Sequence, residues 1–238
     1  MGNSDSPTAV TGAESAQRAV EVALEQFSQF GFTETKMETI ANLSGLSKRM
    51  LHYHFGDKRG LYQRALEAAV ERLNPPLEDL EVDSEVPVEG VRKLVDALFA
   101  CHIAHPEAVR MLAMETSQQV FGVVGRQPVN DVSGVALHLD KLLLHGQDSG
   151  AFRPGLSADD IFILITSLTM YRVTNHNMID NLLGIDMQSE ANTAGLHRMV
   201  VDAVLAFLTA NIPDSGEASY LTAREAVDTA DNNSDIYG

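Results

Sequence analysis

Between Ser47 and Lys58 the chain reads "SKRMLHYHFGDK". The stretch sets Lys48, Arg49 and Lys58 beside Tyr53 and two imidazoles, His52 and His54. A guanidinium can hold the two acceptors of a guanine edge at once, a pairing worth roughly 1–3 kcal/mol of discrimination when made. Ammonium and phenol groups suit phosphate oxygens. The chemistry on offer is recognition of a polyanion. The plainer alternative is a solvated basic helix face.

Such groups need a rigid platform, and the flanking sequence supplies one. "SAQRAVEVALEQFSQFGF" places Val20, Ala23, Leu24, Phe27 and Phe30 at helical spacing, with Gly31 as a stop. Thr35 followed by Glu38 has capping-box spacing and predicts a short second helix ended by Gly45. Ile40 and Leu43 would point inward. Ser47 can cap a third helix through Phe55, and Asp57 a fourth reaching about Leu73. Two short helices about a glycine turn, over residues 36–55, make a helix-turn-helix pattern. Ala41 is small where the helices cross, and Ile40, Leu46, Leu51 and Phe55 can share a miniature core. Lys48, Arg49, His52 and Tyr53 are then left facing outward. Arg49 is placed as a base reader, with Lys48, Tyr53 and Lys58 as phosphate contacts. Lys58 also stands at a helix start, where free N–H groups favour anions. Thr35, Thr39, Ser47, His52 and His54 complete the candidate DNA-contact set. His54 has a plainer role open to it, packing or capping the helix end.

Charge is distributed to match. The 238 residues carry a net −16, which argues against indiscriminate nucleic-acid binding. Lys36 to Arg64 holds six bases against two acids, whereas Asn74 to the end holds nine bases against twenty-four acids. The 45% apolar content supports a globular core, and the lone Cys101 excludes an intrachain disulfide and fits a reducing compartment. No apolar run reaches membrane-span length, no secretory leader is evident, and the expected location is the cytoplasm. "MGNSDS" fits a myristoylation pattern, one that arises often by chance.

The rest of the chain predicts helices only. Residues 1–13 read as a disordered arm, 14–73 as the DNA-binding head, 74–90 as a linker, 91–212 as a helical body and 213–238 as a disordered acidic tail. In the body, Val91–Ala104 is periodic and Pro106 opens a helix to about Gln119. "VFGVVGRQPVN" reads as a loop, and Val132–His145 as a helix. Ser157 and Asp160 form a second capping box before "IFILITSLTMYRV", which reads as buried all round. Leu196, Met199, Val200, Ala203, Val204, Phe207 and Leu208 stripe a last helix stopped by Pro213. Polar or soft residues on these helices are candidate small-molecule contacts: Met111, Met114, Glu115, His138, Thr166, Met170, Tyr171, Asn175, His176 and Met178. Ordinary core packing is the competing reading. Arg153 fits either a helix junction or an anionic ligand. Cys101 reads as a small buried hydrophobe. His102 and His105 have metal-compatible spacing without companion ligands, so no metal or other cofactor is expected. Hydrolase, metalloprotease, P-loop and dinucleotide signatures are absent from the sequence.

"TIANLSGLSKRMLHYHFGDKRGLY" resembles the DNA-binding domain of the TetR family of bacterial transcriptional regulators. The match rests on Thr39-Ile40-Ala41, Gly45-Leu46-Ser47, Leu51 through Phe55, and Asp57-Lys58, and covers about residues 15–73. His52 departs from the family, which more often has tyrosine there. "HPE", "GAFRP" and "YRVTNHNMIDNLLGID" are similar to one subgroup of family C-terminal domains. The resemblance implies an all-α homodimer with a helix-turn-helix head, its last two helices forming a four-helix interface. It further implies repression at a double-stranded palindromic operator, released by a small-molecule effector in the body. An activator or a ligand-free member of the same architecture is the nearest alternative; an all-helical enzyme or an interaction module is the alternative class.

Overall fold

The computed structural model describes residues 8–80, 86–121, 133–213, 216–217 and 219–221, and every described element is helical. The head comprises α1 (Thr8–Glu34), α2 (Met37–Ser44), α3 (Lys48–Phe55) and α4 (Lys58–Leu73). A short α5 (Leu77–Leu80) lies within the expected linker. The body follows as α6 (Pro87–Ala104), α7 (Pro106–Gln118), α8 (Ser133–Asp148), α9 (Ala158–Leu183) and α10 (Glu190–Thr209). Prolines open α6 and α7 at first-turn positions, where a missing N–H costs nothing. The Ser157–Asp160 box is formed: each side chain bonds the other's backbone N–H.

Two apolar clusters hold these helices. One, in the body, joins Leu94 and Leu98 of α6, Leu139 of α8, Ile161 and Ile165 of α9, and Val200, Val204 and Leu208 of α10. The other gathers Leu24, Phe27, Ile40, Leu51, Leu61 and Tyr62 of the head together with Val109 and Met111 of α7 and Val173 of α9. The head therefore shares its core with the body. Tyr62 lies at the centre of this second cluster, 4.9 Å from Phe27 edge-to-face, 5.2 Å from Phe32 and 5.8 Å from Phe121.

Several expectations change. Helix α1 begins at Thr8, so residues 8–13 are helical where a disordered arm is expected. Gly31 kinks α1, with φ 76°, and helical bonding resumes to Glu34. No capping box forms at α2, because Thr35 turns inward and Lys36 takes the cap position. Leu43 is exposed, not inward. Helix α6 starts ahead of Val91, shortening the linker. Helix α9 is not buried all round; Ile163, Tyr171, Met178 and Leu182 are exposed along it. Cys101 is only half-buried. In the acidic tail, Ser219 and the Tyr220 and Leu221 amides bond the Asp160 carboxylate. Residues 1–7, most of "VFGVVGRQPVN" and residues 222–238 lie outside the described residues. Among the described residues no helix is long and apolar enough to cross a membrane.

Candidate nucleic-acid interface

The turn between α2 and α3 depends on Gly45. Its φ of 79° is left-handed, and its N–H caps α2 on Ala41 O at 3.0 Å. Ser47 Oγ then accepts from Met50 N at 3.2 Å and starts α3. Leu51 is the α3 side chain that is fully buried, with Leu46 and Phe55 packed partly against the same cluster beside Ile40 and Ala41. Gly60 closes the far end. A Cβ there would stand 2.1 Å from Phe55 O, so α3 meets α4 at backbone contact. Asp57 caps α4 by accepting from Gly60 N at 2.8 Å.

This anchoring leaves one face of α3 in solvent. Lys48, Arg49, Met50, His52 and Tyr53 are exposed, Tyr53 to 79%. Thr39 and Ser47 are exposed at the same edge. Lys48 Nζ pairs with Glu38 across the α2–α3 corner, and that contact holds the Glu38 carboxyl below its ordinary range. His52 Nδ1 lies 2.6 Å from Gly56 O, tying the imidazole to the end of its own helix. His54 is half-buried against Tyr53, and its Nε2 has no hydrogen-bond partner.

Two expected contacts need correction. Thr35 is 3% exposed, and its hydroxyl donates to Gly31 O and Gln26 O, so its side chain cannot reach DNA. Lys58 is not a free surface cation. Its ammonium donates to Thr33 O at 3.2 Å and sits 4.7 Å over the Phe32 ring; partial burial lowers its pKa, with Glu34 opposing.

The expected small-molecule residues converge only in part: Met111, Glu115 and Met170 gather near Tyr62, and the others do not join them. Met111 is fully buried in the head–body core, with Met170 packed against it and Met114 half-buried nearby on α7. Glu115 Oε1 accepts from Phe121 N at 3.1 Å. Its Oε2 and the Tyr62 hydroxyl are both buried without a well-formed hydrogen bond, although the carboxylate is close enough to add to burial in raising the phenol's pKa. Thr166 gives its hydroxyl to Phe162 O, and His176 Nδ1 lies 3.0 Å from Val173 O. His138 is half-buried on α8. Tyr171 and Met178 lie on the exposed face of α9, and half-buried Asn175 gives its amide to Tyr171 O. Arg153 is structural: its Nε donates to Phe207 O and its guanidinium lies over the Phe207 ring. His102 and His105 do not share a site. His102 is buried on Thr169, and His105 pairs with Glu107 at the start of α7.

Sequence reasoning missed Gly60, whose role is legible only from the approach of two backbones. It also missed Gln118, whose Oε1 accepts from Phe32 N at 2.6 Å and stitches α7 to the Gly31 kink.

An all-helical chain whose second short helix presents an anchored, cationic, solvent-facing surface is a helix-turn-helix DNA-binding regulator. The pattern for bacterial regulatory proteins of the tetR family matches residues 19–65, and that for the tetracyclin repressor-like C-terminal domain matches residues 87–204. The chain belongs to the TetR family. It is 27% identical over 187 residues to the HTH-type transcriptional repressor NicS of Pseudomonas putida, covering 78% of this chain and 88% of that protein. It is 33% identical over 96 residues to the HTH-type transcriptional regulator RutR of Escherichia coli, covering 40% and 45%. The solved structure of SCO4942 from Streptomyces coelicolor superposes with a TM-score of 0.59 at 22% identity over 81% of this chain and 97% of that one, a likeness of fold.

Proposed function

We propose that this chain is a cytoplasmic, ligand-responsive repressor that binds a palindromic operator as a homodimer. The observation that carries the reading is α3: buried Leu51 on one side, exposed Arg49, His52 and Tyr53 on the other. One helix of this length reads few base pairs, so two heads about 34 Å apart are needed on inverted half-sites. The exposed Ile163, Tyr171, Met178 and Leu182 of α9, with Met199 of α10, support pairing of these two helices with a second copy. Repression is favoured over activation because NicS carries that description over most of its length.

The effector acts at the head–body joint. There Met111, Glu115 and Met170 meet Tyr62, and the Tyr62 hydroxyl and Glu115 Oε2, near each other without a well-formed hydrogen bond, offer a donor and an acceptor. A ligand that binds better when α4 is displaced from α7 shifts the dimer away from its DNA-competent spacing. Selection of duplexes from a randomised pool tests the reading. Enrichment of an inverted repeat bound by two chains supports it. Recovery of unrelated sequences, or one chain per duplex, would overturn it.

A further inference from the structure

Apart from the head and its joint, the body has a cleft of about 510 Å³ between α6, α9 and α10. Its apolar wall is Phe99, Ala100 and Ile103 of α6 with Ala194 of α10. Arg172 of α9 also lines it. This arginine is 9% exposed, and buried cations are rarely left without a counter-ion. Its Nε donates to Met187 O at 2.7 Å and its Nη2 to Thr193 Oγ1 at 3.0 Å, both neutral acceptors. Among the described residues no carboxylate lies within ion-pair distance of it; burial lowers its pKa, and the charge of Asp186 opposes that. Two of the five guanidinium donors are engaged this way, leaving others for an acceptor.

Two acids also line the cleft, Asp96 and Glu190. Asp96 Oδ1 is 2.7 Å from His197 Nε2, so that carboxylate already has its partner, and the His197 ring lies 4.8 Å from Phe99. Glu190 is exposed to solvent, where its charge is screened. A buried guanidinium at the polar side of an apolar cleft is the arrangement that holds an organic acid, because a carboxylate matches the guanidinium fork while its body displaces water from the wall.

We propose that this cleft binds a small monocarboxylate with an aromatic or aliphatic body, its carboxylate on Arg172 and its apolar part against Phe99, Ile103 and Ala194. The cleft joins α10, a proposed dimer helix, to α6 and α9, so occupancy would brace the interface side of the body. The site does not depend on the effector location proposed above, and its test needs no DNA.

The test uses 4-fluorobenzoate with the full chain, read by fluorine NMR, with 4-fluorobenzamide and 4-fluorobenzylamine as neutral and cationic matches. The acid is expected to broaden and to be displaced by excess benzoate, while the other two stay sharp. Ala194→Phe adds a ring to the cleft wall while keeping Arg172 itself, and is expected to abolish the broadening. Arg172→Lys keeps charge but loses the fork, and is expected to weaken binding at least tenfold. Should Arg172→Lys lose its helical circular dichroism, Ala194→Phe decides alone. Absence of broadening, preference for the benzylamine, or unchanged acid binding in Ala194→Phe would overturn the proposal.

Discussion

Arg49 illustrates how little of recognition one residue needs to reveal. It is exposed on α3 with no acid bound to it among the described residues, in contrast to Lys48, which Glu38 holds. Arg49→Ala is therefore expected to cost about 1–3 kcal/mol on a selected operator and much less on scrambled duplex, measured by fluorescence anisotropy. Glu38→Gln should act oppositely. It frees Lys48 and removes a negative charge from the DNA face, so affinity rises on any sequence and the salt dependence steepens by about one counterion. Equal salt slopes in the two proteins would show that Lys48 never meets phosphate. A third residue carries a pH effect. Burial depresses the His102 pKa from 6.5 to about 4, while its imidazole lies 2.5 Å from Thr169 Oγ1, which itself donates to Ile165 O. Between those values the unfolded chain binds the extra proton. Stability is thus complete above 6.5 and falls as pH drops toward 4, by at most roughly 3 kcal/mol from this group. Urea denaturation of His102→Gln is expected to show a flatter acid limb than the parent; parallel limbs would refute the assignment.

At the scale of elements, what was legible in the sequence is what local chemistry decides. Gly45, Ser47 and Asp57 sit where their caps are observed, and Ser157 with Asp160 forms the anticipated box. Thr35 failed because two arrangements compete for the same hydroxyl. The kink at Gly31 offers it carbonyls inside the core, and that wins over capping α2. The reading of α9 failed because an apolar run does not say what covers it; among the described residues one face of the run is exposed. The docking of Ser219, Tyr220 and Leu221 on Asp160 was hidden by polar, acidic surroundings that read as disorder. Gly45→Ala places a Cβ at left-handed φ and is expected to cost about 1–2 kcal/mol, less for Gly45→Asn, by thermal unfolding. Gly60→Ala should be worse for binding than for stability, because relieving a 2.1 Å contact with Phe55 O moves α3 off its platform. Operator affinity unchanged by that substitution would count against a fixed α3–α4 angle.

For the whole molecule, the acidic body and basic head divide the work. A chain of net −16 disfavours DNA except where α3 concentrates cations, so contact is expected at the head. The shared core around Tyr62 and Met111 means the head cannot shift without disturbing α7, which is what an effector-driven change requires. Pairing through α9 follows the same economy. Met178→Lys with Leu182→Lys buries charge in the proposed interface, and light scattering is expected to show monomers with operator binding weakened over a hundredfold. A dimer retained in that double variant would move the interface elsewhere. The central claim, that the exposed face of α3 enters a DNA groove, is tested most directly by photocrosslinking. With p-benzoylphenylalanine at position 53 the account predicts a covalent adduct with operator duplex, and none with the same group at position 171. An adduct at 171 alone, or none at 53 while the protein stays bound to the duplex, would contradict it.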